Sequence, residues 1–362
     1  MSFGRLKELH QKHKRWIPIV SFILGFLFDS FMLRRIDELS TLIQQACYLC
    51  IATGLVSIEL VEETREIKAP KILSRIWQYR EFLLHFLLGT LLNSYTIFFF
   101  KSASALTSLL FIGALVAILT VNEFLRFGKS QLQVHVALVS LCLISYLLSL
   151  APIVLGFMGI LPFFVSVSAS LFIFTLYYGC IRPRLSGNPH LLHTHLLYPY
   201  ATIHLIFIVL YFLNAIPPVP LAVSYMGIFH QVEKSEDGYQ LSFTHPEWKF
   251  WEHGDETFLA RPGDPIFCFA QIFSPTRFKE NLQVRWLLWD EKKGWQSQDV
   301  IPLSVTGGRD QGYRVVIRKN NYQPGQWRVQ IETTRNQEVG RLKFSVVADD
   351  TTDERSFHLA LR

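Results

Sequence analysis

The stretch "NAIPPVPLAVSY", residues 214–225, marks the point where the pattern of the chain changes. Before it the chain is a succession of long apolar runs, and after it polar and apolar residues alternate, with frequent Gly, Pro, Asp and Asn. Apolar runs of about 20 residues are typical of membrane-spanning helices, whereas alternation is typical of strands. The sequence therefore predicts a cytoplasmic segment 1–16, a transmembrane helical domain 17–217 and an extracytoplasmic β-domain 218–362.

Composition and charge support this division. The chain is 50% hydrophobic and 14% aromatic, which is more apolar than an ordinary soluble protein. Its net charge of +6 could suggest nucleic acid, but 17 of the 35 basic residues and only 10 of the 29 acidic residues precede Pro218. The basic excess belongs to the loops of the first domain, so we predict membrane lipids and no nucleic acid as partners.

The apolar runs define the predicted membrane spans. The boundary between the fifth and sixth runs is a turn with almost no polar residue, which leaves counts of six and eight open beside the preferred seven. The seven predicted spans are 17–33, 39–60, 82–100, 104–122, 132–155, 157–180 and 198–216.

The orientation follows from the basic residues of the loops. Fourteen flank one end of the predicted spans, and only Arg34, Arg35 and Lys101 flank the other. Because basic loops stay inside, the N-terminus is predicted to be cytoplasmic. With seven spans, the C-terminal domain then lies in the periplasm of a bacterial inner-membrane protein.

Polar residues inside the first three spans form one candidate site. Such side chains cost about 2.5–3.5 kcal/mol at the centre of a span, so they usually face other helices or a water-filled cavity. We expect a binding layer near the outer surface, although an ion pair of Asp29 with Arg34 or Arg35 would explain part of it structurally. The candidate residues are Asp29, Arg34, Arg35, Asp37, Gln44, Gln45 and Asn93.

A second polar layer is predicted near the cytoplasmic ends of the spans. It contains His85, His135 and His204, with Glu59 and Glu62 at the inner end of the second span. Such groups could relay protons or bind a metal, or they could be separate interfacial histidines. No nucleotide-binding or catalytic motif occurs, and we predict neither a cofactor nor a metal site.

The second domain shows the two-residue period of strands. "GQWRVQIET" (325–333), "GRLKFSVVA" (340–348) and "QGYRVVIRK" (311–319) each place apolar residues on one face and polar residues on the other. About eight short strands of this kind, without a helical period, predict an antiparallel, immunoglobulin-like β-sandwich. The predicted fold class is therefore a polytopic α-helical membrane bundle followed by an all-β domain.

Basic and tryptophan residues of the β-domain form another candidate binding site. If the last three strands pair side by side, their basic residues make a ladder that could hold a carboxylate, a phosphate or an acidic glycan. The alternative is a solvated sheet face, partly neutralised by Glu332 and Glu338. Two tryptophans of one strand, three residues apart, cannot both face inward. The candidate residues are Arg314, Arg318, Arg328, Arg341, Lys343, Trp286 and Trp289.

The run "GGRDQGYRVVIRKNNYQPGQWRVQIETTRNQEVGRLKFSV", residues 307–346, resembles the C-terminal module of an uncharacterised bacterial family of polytopic membrane proteins, the domain of unknown function 2914 type. The likeness covers about 265–347, and members with several spans share a first-helix pattern matched here by Gly25, Phe26 and Asp29. The family has no assigned activity, so the resemblance implies architecture alone.

Three hypotheses of function follow. The preferred one is a non-catalytic membrane protein, a scaffold or sensor, whose periplasmic β-sandwich binds an envelope protein, a glycan or a lipid-linked saccharide. One alternative is a transporter or lipid-handling protein that uses an outward-facing polar cavity around Asp29. Another is a membrane-embedded enzyme acting on a lipid-linked substrate. The sequence leaves the ligand and the oligomeric state open.

Overall fold

The fold was obtained as a computed structural model and consists of two compact units. The boundary between the units falls between Ile216 and Pro217. The structure describes residues 36–63, 77–103, 110–111, 113–114, 131–185, 189–236, 238–246, 248–249, 251–308 and 312–362.

The described part of the first unit contains five helices that are long and apolar enough to cross a membrane. They confirm five of the predicted spans as helices, whereas the predicted spans 17–33 and 104–122 lie wholly or almost wholly outside the described residues. The last helix includes a π-helical turn, His193–Leu197, and starts nine residues before its predicted span. The helices are α1 Leu39–Glu62, α2 Arg80–Lys101, α3 Gln131–Leu155, α4 Ile160–Ile181 and α5 Pro189–Phe212.

Helices α3, α4 and α5 pack through small hydroxyl residues and aromatic rings. The Ser166 hydroxyl of α4 donates a hydrogen bond to the carbonyl oxygen of Leu147 in α3, at 2.9 Å. Phe174 of α4 stacks on Tyr200 of α5, with ring centroids 3.8 Å apart. Small polar residues that let backbones approach closely are typical of helix contacts in membranes, because hydrophobicity does not drive helix association there.

The turn between α3 and α4 explains why the sequence pattern was least distinct at this point. Gly156 and Gly159 adopt φ angles of 79° and 131°, which side chains disfavour. Pro152 lies inside α3 and Pro162 in the first turn of α4, so both prolines belong to helices. The chain reverses over a few glycine-containing residues and needs no polar loop there.

The second unit is built from strands. Eleven strands, rather than about eight, lie in the described part of residues 222–361. The strands are β1 Ala222–Phe229, β2 Gln231–Ser235, β3 Gly238–Phe243, β4 Thr257–Ala260, β5 Ile266–Phe273, β6 Lys279–Asp290, β7 Gly294–Thr306, β8 Tyr313–Lys319, β9 Gly325–Thr333, β10 Glu338–Ala348 and β11 His358–Leu361.

These strands form three sheets. The orders are β1-β5-β8, β4-β10-β9-β6-β7 and β11-β3-β2. Strand β4 pairs with β10 in parallel, and the other pairings are antiparallel. Strand β8 pairs with β5 and not with β9, so the last three strands before residue 349 do not lie side by side as the sequence analysis supposed. The predicted five-residue basic ladder is therefore wrong.

The core of the second unit contains two fully buried tryptophans and one buried cation. Trp286 of β6 and Trp327 of β9 are 0% and 2% exposed, and Trp286 meets Phe344 edge-on at 6.2 Å. The ammonium group of Lys319, from β8, lies 5.8 Å and 5.1 Å from the two indole centroids and forms an ion pair with Asp299 of β7. Lys319, a single side chain of the β1-β5-β8 sheet, thus contacts three strands of the five-stranded sheet.

Candidate functional site

The hairpin between β6 and β7 places two tryptophans side by side. Asp290 accepts hydrogen bonds from the backbone N–H groups of Lys292 and Lys293, at 2.9 and 2.8 Å, and Gly294 has a φ of 70°. Asp at the start of a tight turn and Gly at a positive φ are the residues such a turn requires. The turn pairs Trp289 directly with Trp295, whose rings meet edge-on at 5.2 Å.

Trp286 and Trp289 point to opposite sides of the sheet, as their spacing predicts. Trp289 is 45% exposed, whereas Trp286 lies in the core. A buried indole cannot contact an external partner, so the proposal of Trp286 as a binding residue is wrong. The large aromatic side chain at this position fills the core.

Two cations of the neighbouring strands lie beside the paired tryptophans. Arg328 of β9 is directly opposite Lys343 of β10. The guanidinium carbon of Arg328 is 4.6 Å, and the ammonium nitrogen of Lys343 6.0 Å, from the ring centroid of Trp295. These distances are those of cation–π contacts. We call Trp289, Trp295, Arg328 and Lys343 the tryptophan–cation cluster.

The carboxylates of the same face are engaged by other arginines. Glu332 accepts from Arg285 at 2.5 Å, and Glu338 accepts from Arg341. Both carboxylates are nearly buried. The turn between the two tryptophans, residues 290–293, carries two acidic and two basic exposed side chains, whose charges balance.

Burial foremost, and then the Arg341 cation, lower the pKa of Arg328, whereas Glu338 and Glu332 raise it. Arginine remains protonated even so, because its pKa is so high. A cation that its own protein stabilises incompletely gains more from an incoming anion than a fully paired one does.

The remaining predicted basic residues lie elsewhere. Arg314 and Arg318 are on β8, in the β1-β5-β8 sheet. The guanidinium group of Arg314 lies 5.9 Å from the ring of Tyr239, and that of Arg318 lies 5.9 Å from the ring of Phe267. Arg341 is on the same face as the cluster but is held by Glu338. Of the seven residues predicted for the β-domain site, the structure brings together Trp289, Arg328 and Lys343, with Arg341 at their edge.

Sequence reasoning did not select Trp295 as a binding residue. The signal that could have found it is the segment "WDEKKGW", residues 289–295, in which Asp and Gly mark a tight turn between two tryptophans. A hairpin at this position makes the two indoles a cross-strand pair.

The cluster offers the exposed indole of Trp289, set edge-on to Trp295, with two cations beside the Trp295 ring. Paired indoles give a large, rigid contact area at low conformational cost. Arg and Lys recognise carboxylate or phosphate groups, and Arg does so with a planar fork of donors. The arrangement can hold a ligand with one apolar face and one or two anionic groups.

The predicted outer layer of the membrane unit is only partly within the described residues. Asp29, Arg34 and Arg35 lie outside them. Asp37 lies in the turn just before α1. Gln44 is half-buried and donates to the hydroxyl of Tyr48 at 3.1 Å.

The other two amides of this layer are deeply buried. Gln45 is 4% and Asn93 0% exposed. Burial of both amides agrees with the expectation that polar groups in a span turn away from lipid. The proposal that they share a cavity with Asp29 stays a prediction.

The structure brings together part of the second predicted layer. The imidazole rings of His85 and His135 meet edge-on, with centroids 5.5 Å apart, and His135 Nδ1 lies 2.7 Å from a carboxylate oxygen of Glu59. A polar cavity of about 390 Å³ opens beside this pair and is also lined by Glu62 and Arg80, which form an ion pair at 2.7 Å.

His204 belongs to a different cluster. It lies 2.7 Å from the Ser170 hydroxyl and stacks on Tyr200. Within the described residues, no group of three or more His, Cys, Asp or Glu side chains could hold a metal ion.

The comparisons with solved structures give only faint likenesses. One alignment is to a β-glucosidase from Listeria innocua in complex with glucose, at 14% identity and a TM-score of 0.19. It covers 25% of this chain and 15% of the β-glucosidase. Another alignment is to the Pseudomonas fluorescens alkylpurine DNA glycosylase AlkC bound to DNA containing an abasic site analog, at 10% identity and a TM-score of 0.21. It covers 86% of this chain and 99% of the glycosylase. Both TM-scores are too low to indicate a shared fold. No curated protein matches the sequence.

A family model does match the C-terminal part of the chain. Residues 279–346 match a family described as protein of unknown function (DUF2914). This confirms the predicted likeness of the C-terminal module to a domain of unknown function. The matched residues run from β6 through most of β10, so they carry the whole tryptophan–cation cluster, and the chain is similar there to a family without an assigned activity.

Proposed function

We propose that this protein is a non-catalytic membrane protein, a scaffold or sensor, whose β-domain binds an acidic saccharide of the bacterial envelope. The observation that carries the proposal is the tryptophan–cation cluster. Sugar rings present flat C–H faces that fit against indoles, and the carboxylates or phosphates of envelope glycans fit Arg328 and Lys343.

The geometry favours an acidic saccharide over a neutral one. Glu332 and Glu338 hold Arg285 and Arg341, whereas Arg328 and Lys343 lie against the indole of Trp295. Trp295 pairs in turn with the exposed Trp289. Each charge-assisted hydrogen bond contributes about 1.5–3 kcal/mol. A neutral sugar would gain the stacking contact alone.

The proposal includes a topology. Seven spans, the five described helices and two further ones, would place the N-terminus in the cytoplasm and the β-domain in the periplasm of an inner-membrane protein. The uneven distribution of loop basic residues supports this orientation. The five-stranded sheet and the β1-β5-β8 sheet would form an immunoglobulin-like sandwich. The contacts of Lys319 with Trp286 and Trp327 support the face-to-face packing of these two sheets.

The test is a binding measurement on the full-length protein in lipid nanodiscs. The probes are an oligogalacturonate, as an acidic saccharide, a maltooligosaccharide of equal length, as a neutral one, and soluble peptidoglycan fragments. We expect the acidic probes to bind at least tenfold more tightly than the neutral one. Arg328→Gln with Lys343→Gln should weaken acidic binding by at least about 10-fold, because the loss of even one charge-assisted contact has that effect.

Arg318→Gln is the matched control, because it removes an exposed arginine from the β1-β5-β8 sheet, away from the cluster. It should bind the acidic probes as the unmodified protein does. Equal affinity for acidic and neutral probes, or an equal loss in both arginine variants, would overturn the saccharide proposal. So would photocrosslinking from position 289 in cells that captures an envelope protein and no glycan.

A further inference from the structure

A second cavity, unlike the polar one beside Glu59, lies within the membrane unit. It has a volume of about 390 Å³ and is lined by α1, α3, α4 and α5. This volume is within the range of about 300–1,000 Å³ usual for small-molecule sites. The cavity is only partly enclosed, so it is open to the surroundings of the helices.

The walls of the cavity are mainly hydrocarbon. Leu49 of α1, Val136 and Leu143 of α3, and Ile173 and Phe174 of α4 line it. All four contributing helices are long and apolar enough to cross a membrane. Hydrocarbon from the lipid tails would therefore surround the helices that build this cavity.

The small polar side chains of the lining already have partners. The Thr53 hydroxyl donates to the carbonyl oxygen of Leu49 at 2.8 Å, one turn earlier in α1. The Ser140 hydroxyl donates to the carbonyl oxygen of Val136 at 2.7 Å in the same way in α3. Hydroxyls that bond to their own helix offer a ligand little hydrogen-bonding capacity.

The tyrosine hydroxyls of the lining also have partners. Tyr177 shares a hydrogen bond with Ser57 at 2.9 Å, and Tyr200 shares one with Ser170 at 3.1 Å. Tyr146 donates to a carbonyl oxygen of α1 at 3.4 Å. A water molecule would need two to four polar partners, and a lining whose polar groups are engaged with each other supplies few.

We propose that this cavity holds one hydrocarbon chain of a membrane lipid. An apolar ligand is the one class that such a lining accepts without leaving polar groups unpaired. The surrounding bilayer supplies that chemistry at high concentration. The bound chain would fill space that α1, α3, α4 and α5 do not fill by their own contacts.

Native mass spectrometry of the full-length protein tests this inference. The protein is reconstituted with a single phosphatidylethanolamine species, extracted in mild detergent and analysed for retained lipid. We expect one tightly retained lipid per chain. Ala46→Phe with Val139→Phe, two lining positions, should reduce its retention at least tenfold, because the added rings occupy the cavity. Leu171→Phe is the control, since Leu171 is 53% exposed on α4 and outside the lining.

Equal lipid retention in the filled variant and the unmodified protein would show adventitious lipid and overturn the proposal, as would a protein that releases all its lipid. A labelling measurement covers the case in which the filled variant does not fold. Cys50 lines the cavity and Cys47, three residues earlier on α1, does not, although both are exposed. In single-cysteine variants, lipid should slow the reaction of N-ethylmaleimide with Cys50 several-fold relative to Cys47. Equal protection of both thiols would contradict the inference.

Discussion

Replacing Asp299 by Asn should destabilise the β-domain more than replacing its partner Lys319 by Met. Lys319 is 6% exposed and lies between two buried indoles, whereas the side chain of Asp299 is 49% exposed. Removing one member of a buried pair costs about 3–5 kcal/mol, because a buried charge remains unpaired. Exposed pairs contribute about 0–1 kcal/mol, so for this half-exposed pair we expect about 2 kcal/mol.

Lys319→Met should have a much smaller effect. It removes the ammonium group together with its desolvation cost and keeps an unbranched side chain between Trp286 and Trp327. The lost cation–π contacts, about 0.5–2 kcal/mol, and the relief of desolvation oppose each other, so the stability should change by less than about 1 kcal/mol. The double variant should resemble Lys319→Met, since Asp299 then has no charge to neutralise.

Hydrogen exchange of the full-length protein in detergent measures this difference in β8 and β9. A loss of about 2 kcal/mol corresponds to about 30-fold faster exchange, because 1.36 kcal/mol is a factor of ten. Exchange in Asp299→Asn that matches the unmodified protein, while Lys319→Met exchanges far faster, would refute the reasoning. It would mean that cation–π contacts and packing dominate this part of the core.

Two other predictions concern the stability of the β-domain. Burial foremost, and then the Arg355 cation, lower the pKa of His230 to about 4. The unfolded chain takes up this proton near pH 6.5, so acid favours the unfolded state. The free energy of unfolding of the unmodified protein, relative to that of His230→Gln, should therefore fall by about 3 kcal/mol between pH 7 and pH 4. Equal pH dependence of both proteins in urea unfolding would contradict this. Gly227→Ala should lower the melting temperature strongly, because its Cβ would lie 1.6 Å from the carbonyl oxygen of His253. Gly54→Ala, with no atom within 4 Å, should have no such effect, and similar melting of both variants would count against the predicted clash.

The features predicted correctly from the sequence are those that depend on nearby residues. Length and apolarity predicted α1 to α5, and alternation predicted β8, β9 and β10, because the information lies within each segment. The opposite orientations of Trp286 and Trp289 followed from strand geometry in the same way.

Contacts between residues that are distant in sequence could not be predicted as well. The alternation in β8 indicates a strand but not its neighbour, and pairing with β5 rather than β9 separates Arg314 and Arg318 from Arg328. Helix rotation and packing similarly bring His85 to His135 and leave His204 with Ser170. Neither separation is encoded in the local pattern, because both depend on how whole elements associate.

The position of β8 affects where the chain can be cut for study. The matched segment 279–346 includes β8 but not β5, which supplies its hydrogen-bonding partner. An isolated fragment with those ends would leave backbone N–H and C=O groups of β8 without their β5 partners, and such bare strand edges promote aggregation. The boundaries of sequence similarity and the boundaries of an expressible unit therefore differ, and a soluble fragment should begin at Pro217 or before, so that β1 and β5 accompany β8.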